Sequence, residues 1–263
     1  MRLPESRTMI TLEVRRRESL SPGFASVTLG GPALRDLAVV GGDQTVRLFF
    51  PREGQAALRM PTASSEAWMA QVLVMPKSVR PLVRNLTIRR ARPAEGEVDI
   101  EFALHGDSPM SSWVRRVRPG DQAGVFDMGT TYRRPEDARA QLLVGDGTAL
   151  PAILAILDQA PPGLASEVYL EVPTAADVRD VPTAPGMRIH WSVRDDVADR
   201  RPGSAVLEAV RRAEVPPGRV YAWVAGESRL ATSVRRHLVN DRGVPKADIS
   251  FAGYWRHGWS AKG

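Results

Sequence analysis

At 263 residues, 43% hydrophobic and 25% charged, the chain has the composition of an ordinary globular protein with room for one large domain or two modest ones. It has no cysteine, which excludes disulfides, thiolate zinc sites, cysteine-ligated iron–sulfur clusters and a cysteine nucleophile, and leaves any redox chemistry to a bound cofactor. The net charge of +6 is nearly all arginine, with only Lys77, Lys246 and Lys262 as lysines, and reads first as codon bias in a GC-rich genome; the arginines are scattered, without a nucleic-acid-binding motif or an aromatic–basic stripe, so the case for nucleic acid is weak, and an anionic ligand such as a nucleotide or an acidic metal chelate fits equally well.

Residues 1–17 are charged and then alternating, without the apolar core of a secretory signal, and no segment has the apolar length of a membrane span. The expectation is a cytoplasmic protein with no membrane insertion. Short alternating or β-rich runs occur at 9–17, 25–30, 45–50, 83–91, 98–104 and 121–126, separated by turn clusters such as Ser21-Pro22-Gly23, Gly41-Gly42 and Arg118-Pro119-Gly120. This spacing predicts a barrel or sandwich. Residues 54–81 interrupt it and predict a long loop with a short helix around Trp68.

The period then changes. Apolar strands are predicted at 140–144, 167–172, 187–193 and 220–225, alternating with helices at 148–158, 204–212 and 228–240. Alternation of this kind implies a parallel sheet with crossovers. The expected division is 1–138, 139–250 and an aromatic tail, 251–263, whose Phe251, Tyr254, Trp255 and Trp259 predict docking back onto the body of the protein. The four histidines are dispersed, so no metal site is expected.

Several motifs stand in order along the chain. Arg80-Pro81 and Val83-Arg84 precede Thr87-Ile88-Arg89; Asp99 leads through Phe102-Ala103-Leu104-His105-Gly106-Asp107 to Pro109, Ser111 and Trp113; then comes Pro119-Gly120-Asp121. Gly145-Asp146 and Thr148-Ala149-Leu150-Pro151-Ala152-Ile153 follow the first apolar strand, Trp223-Val224-Ala225-Gly226-Glu227 another, and Gly253-Tyr254-Trp255-Arg256 closes the set. In this order and spacing the chain resembles, over residues 7–258, the siderophore-interacting proteins, FAD-binding ferric-siderophore reductases of the ferredoxin-reductase-like superfamily.

The resemblance implies a six-stranded antiparallel flavin-type barrel, then a parallel-sheet nucleotide-type domain, with the tail docking back. It implies FAD and NAD(P)H as cofactors and an acidic ferric siderophore as small-molecule substrate. Arg84 and Thr87 fall at the flavin phosphate and the flavin edge of an R-x-aromatic-S/T signature, with Leu86 at the aromatic position; the bland alternative is a surface arginine and an ordinary strand threonine. Ser111 falls at a pyrophosphate-facing helix start and reads equally as a helix cap. His105 beside it reads as a structural histidine or a cofactor contact. Gly145, Asp146 and Thr148 form either a cofactor turn or a tight strand-to-helix turn. Glu227 lies on a second strand-end turn, where open α/β sheets bind ligands, and Tyr254-Trp255 match the aromatic pair that meets the flavin ring. Tyr132, Arg194, Arg235 and Arg236 are further candidates for nucleotide contact, and no catalytic residue is assigned.

Leu86, Ser108, Met110, Asp127-Met128 and Gly147 depart from the family pattern at or near expected cofactor contacts. They support a second expectation: a repurposed member without flavin that performs a cofactor-free rearrangement or cyclisation in secondary metabolism, or a non-catalytic small-molecule binder.

Overall fold

The computed structural model describes residues 3–4, 7, 9–55, 58–63, 65–196 and 201–259. Its contacts divide the chain into two compact units that meet in sequence at Thr131 and Tyr132.

In the first unit β1 (Met9–Ser21), β2 (Phe24–Gly30), β3 (Thr45–Phe50), β4 (Leu82–Arg92), β5 (Glu97–Ala103) and β6 (Gln122–Gly129) close an antiparallel barrel in the order β1-β2-β5-β4-β3-β6. Alternation sets the inward face: Ile10, Leu12 and Val14 are buried, while Thr11, Glu13 and Arg15, each following one of them, are exposed. On β3, Val46, Leu48 and Phe50 join the barrel core, whereas Phe49 belongs to a separate cluster with Trp68, Val72 and Phe126. That cluster is what α1 (Ala67–Val74) covers, and it explains the short helix expected around Trp68. A second helix, α2 (Pro109–Arg116), puts Trp113 into the barrel core, 5.2 Å from Phe50 and 5.9 Å from Phe102 between ring centres.

The second unit holds β7 (Ala140–Asp146), α3 (Leu150–Asp158), β8 (Ala165–Val172), β9 (Met187–Val193), α4 (Ser204–Arg212), β10 (Val220–Glu227), α5 (Ser228–Asn240) and β11 (Ile249–Trp255). The strands form one parallel sheet, ordered β11-β10-β7-β8-β9. Every residue of β7 and β10 is buried, as expected for central strands covered on both faces. Val206 and Val210 of α4 and Leu230, Val234 and Leu238 of α5 pack with Leu142, Val144, Ala222 and Val224. Helix α3 approaches the alternate face at Gly145, where a Cβ would lie 2.6 Å from that of Ala149. The aromatic tail becomes a sheet element: Phe251, Tyr254 and Trp255 lie on β11, an edge strand beside β10, and residues 260–263 of the expected tail lie outside the described residues. No helix among the described residues is long and apolar enough to cross a membrane.

Candidate functional site

Strand β4 places Arg84 and Leu86 on one face and Thr87 on the other, because side chains alternate along a strand. Arg84 is half-buried, and its Nη1 donates 2.8 Å to the carbonyl of Val83. Burial, and then the nearby Arg52 guanidinium, lower its pKa from the ordinary arginine value. Arg52 donates from Nε to the Arg80 carbonyl at 3.2 Å, and Arg80 in turn is held by the carbonyls of Leu73 and Met75. Among the described residues neither Arg52 nor Arg84 has an ion-pair partner. Two cations close enough to oppose each other, with no carboxylate between them, make a place for an anion, and a guanidinium fork suits phosphate oxygens.

The turn from β5 into α2 is closed by its own hydroxyls. Ser108 is the helix cap, accepting from the Ser111 amide at 3.2 Å and donating to the Ser111 hydroxyl at 3.0 Å. The Ser111 hydroxyl also accepts from the His105 amide at 3.2 Å, and its side chain is wholly buried. The cap expected at Ser111 is therefore Ser108, and Ser111 staples the turn from inside; the His105 side chain is exposed beside it. Leu86 and Met110 are half-buried and pack against the barrel core. Thr87 is buried and pairs across to Thr45. Asp127 is buried, accepting 2.8 Å hydrogen bonds from Gln44 Nε2 and the Gly129 amide, and burial raises its pKa despite them. Met128 packs with the Trp68 cluster.

In the second unit the carboxyl edge of the sheet is organised by Asp146. Its Oδ1 accepts from the Thr148 amide at 2.8 Å and the Thr148 hydroxyl at 2.6 Å, and its Oδ2 from the Glu227 amide at 2.7 Å and Trp255 Nε1 at 2.9 Å. One carboxylate thus ties the ends of β7, β10 and β11 together. Gly226 makes this possible: at φ 130°, a Cβ there would lie 2.7 Å from the Asp146 carboxyl. Glu227 caps α5 through the Arg229 and Leu230 amides. Tyr254 packs edge-on to Trp223, with ring centres 6.4 Å apart. Gly145, Asp146, Thr148, Glu227 and Trp255 therefore do come together, joined to one another by hydrogen bonds and close packing. Tyr132 is used at the start of this sheet, donating 2.7 Å to Gln141 and packing edge-on against Tyr221. Arg235 stacks on Phe251, and Arg194 stands near Glu171.

Two family models match the chain: "Siderophore-interacting FAD-binding domain" over residues 13–131 and "Siderophore-interacting protein" over 138–258. The siderophore-interacting protein SipS from Aeromonas hydrophila superposes with a TM-score of 0.78 at 30% identity, over 98% of this chain and 94% of that one. The chain belongs to the siderophore-interacting protein family. A siderophore utilization protein from T. fusca gives a TM-score of 0.82 at 28% identity, covering 98% and 96% of the two chains. The ferric vibriobactin reductase ViuB of Vibrio cholerae is 28% identical over 250 residues, 94% of this chain and 89% of ViuB.

Within this family the sequence departures acquire structural reasons. Leu86 and Met110 serve the barrel core, Ser108 caps α2, Asp127 bonds Gln44 beside β3, and Met128 fills the cluster under α1; nothing in the structure explains Gly147. The Arg84–Arg52 pair, which has no ion-pair partner among the described residues, suits the charge of a phosphate group such as FAD carries. Sequence reasoning missed Glu171. A glutamate between the apolar Leu170 and Val172 near the end of β8 was the signal, since a fully buried Glu needs a ring of donors.

Proposed function

We propose that this chain is an FAD-dependent oxidoreductase that passes electrons from NADH or NADPH to an acidic ferric siderophore. The observation that carries the reading is Arg84, half-buried beside Arg52 with no carboxylate partner among the described residues, on the strand where the family's flavin signature stands. ViuB, a ferric vibriobactin reductase by name, supports the choice of substrate class. Bound FAD supplies two-electron acceptance and single-electron release, which no side chain of a cysteine-free protein can do.

In this reading the barrel is the flavin unit. Arg84 and Arg52 neutralise the cofactor's phosphate charge, and Arg80 holds the segment that carries them through its bonds to Leu73 and Met75. Leu86 offers apolar contact at the position of the signature aromatic. For each dihydronicotinamide oxidised, two ferric chelates take one electron each and one proton is released. Ferrous iron binds hard oxygen ligands more weakly, and the metal leaves the chelate; the protein need not ligate iron, and no metal-binding cluster occurs among the described residues. That five of the departing residues are used inside the fold supports a retained flavin site over a cofactor-free one.

The test is the visible spectrum of the purified protein together with reduction of a ferric catecholate or hydroxamate chelate, followed with a ferrous-specific chromophore. A yellow protein that releases FAD on denaturation and reduces the chelate is the expected result. A colourless protein that takes up no added FAD overturns the reading.

A further inference from the structure

Parallel sheets hold the pyrophosphate of a dinucleotide at the carboxyl ends of their strands, where the first amides of the following helices point outward with no partner of their own. In this chain many of those amides are already bonded. Strands β7, β8 and β10, adjacent in the sheet, carry Asp146, Glu171 and Glu227 at or next to their last residues, with exposures of 4%, 1% and 2%. Glu227 Oε2 accepts from the Arg229 and Leu230 amides at the start of α5, at 2.5 and 3.2 Å. Glu171 accepts from the Gly203, Ala205 and Val206 amides at the start of α4, at 2.7, 3.1 and 3.3 Å. Asp146 takes the Thr148 amide before α3, and Pro151 in the first turn of that helix has no N–H to give.

The positive ends of α4 and α5 are therefore balanced by carboxylates from the protein itself. A pyrophosphate placed there meets three buried acidic groups and few free amides. The negative potential is felt within the cluster: burial, with the Asp146 charge contributing, raises the Glu171 pKa. Arg194 faces Glu171, and Arg235 is engaged with Phe251.

We infer that this chain holds no dinucleotide pyrophosphate on its parallel sheet, so that a dihydronicotinamide donor is used without recognition of its adenosine half. The second clause rests on the flavin reading above; the first does not. The sheet's carboxyl edge is an internal latch, and NADH, NADPH and the truncated dihydronicotinamide mononucleotide are equivalent donors.

Two measurements on the full chain decide it. In the first, ADP-ribose and inorganic pyrophosphate are titrated while tryptophan emission and thermal midpoint are followed, because Trp255 is bonded to Asp146 at this edge. Neither signal should saturate below about 1 mM ligand in Arg84→Ala, which lacks the barrel's pair of opposed cations; saturable binding of either ligand to that variant below that concentration overturns the inference. In the second, stopped-flow reduction of the flavin-loaded protein should be linear in donor concentration, with the three donors within about threefold of one another, because no binding energy comes from the adenosine half. A larger loss with the mononucleotide, or saturation by NADH or NADPH alone, overturns it. If the protein takes up no flavin the proposed function fails, and the ADP-ribose titration, which needs no flavin, still decides the pyrophosphate site.

Discussion

In the barrel, Arg84 lies beside Arg52 with its charge unanswered by any described carboxylate, whereas on the parallel sheet Asp146 accepts four hydrogen bonds from residues of its own unit. The sequence motifs mark both places equally as cofactor contacts. They differ in what they leave over. A half-buried cation beside another cation is a cost to the folded chain that a bound anion relieves. A buried carboxylate ringed by donors has nothing left to offer a ligand, and its removal strands every donor. In the flavin reading proposed above Arg84 serves binding and Asp146 stability, and mutants separate the two.

The largest effect is expected at Asp146. Asp146→Ala leaves the Thr148 amide and hydroxyl, the Glu227 amide and Trp255 Nε1 without their acceptor. Four donors, one buried and three part-buried, orphaned at once should lower the unfolding free energy by about 3–5 kcal/mol, read by urea denaturation. Asp146→Asn keeps one acceptor oxygen and should recover part of the loss. A change below about 1 kcal/mol in Asp146→Ala would show that the latch carries no weight and reopen the strand edge to ligand.

Arg84 should behave the other way. Removing a charge-assisted hydrogen bond of about 1.5–3 kcal/mol, Arg84→Ala should weaken FAD binding by about one to two orders of magnitude. The flavin-free protein should unfold as before, or slightly later, because one of two opposed cations has gone. Unchanged FAD affinity with loss of folding would make Arg84 a structural residue and take away the main support for the flavin reading.

The same contrast shows how far the sequence could be read. Alternating runs placed the six barrel strands, and the change of period placed the parallel strands and their helices, because burial of one face or both dictates those patterns. The aromatic tail was harder: Phe251, Tyr254 and Trp255 read as a docking segment, and only the pairing of Ala222 with Ile249 and its successors makes them a strand. The site was less legible than the fold. Ser111 and Ser108 are three residues apart with like chemistry, and local sequence does not say which one caps and which one staples. Glu171 and Asp146 are distant in sequence, and only the register of β7 against β8 makes them neighbours.

A third charged cluster on the barrel bridges the two behaviours. Arg92 pairs with Glu97 at 3.0 Å and with Asp99 at 2.5 Å, and Thr28 donates to Asp99 at 2.6 Å. Burial pushes the Asp99 and Glu97 pKa values up, but bonds to Arg92, together with Thr28 and Arg16, outweigh it and hold both below the usual carboxylate range. Folded pKa values below the unfolded ones mean that this stability is fully present above the unfolded carboxylate values, about pH 4, and is lost as pH falls through the depressed values. Arg92→Ala should cost about 1 kcal/mol at neutral pH for a partly exposed network and flatten the acid limb of a stability–pH profile. An unchanged acid limb in that variant would assign the limb to other carboxylates.

The smallest effect, and the finest probe of the binding region, is at Leu86. The half-buried Leu86 side chain packs against the barrel core rather than standing free on the strand. Leu86→Tyr restores the aromatic of the flavin signature, and offset stacking contributes about 0.5–1.5 kcal/mol beyond burial, so FAD should bind about two- to tenfold tighter. The same change removes Leu86 from its contact with the core, and a ring that leaves that packing should lower flavin-free stability by no more than about 1 kcal/mol. Tighter flavin binding with slightly lower stability means that Leu86 exchanged ring contact for core packing while the phosphate end at Arg84 was kept. Looser flavin binding would mean that the pocket is shaped around leucine, and that the cofactor ring lies elsewhere than the signature position.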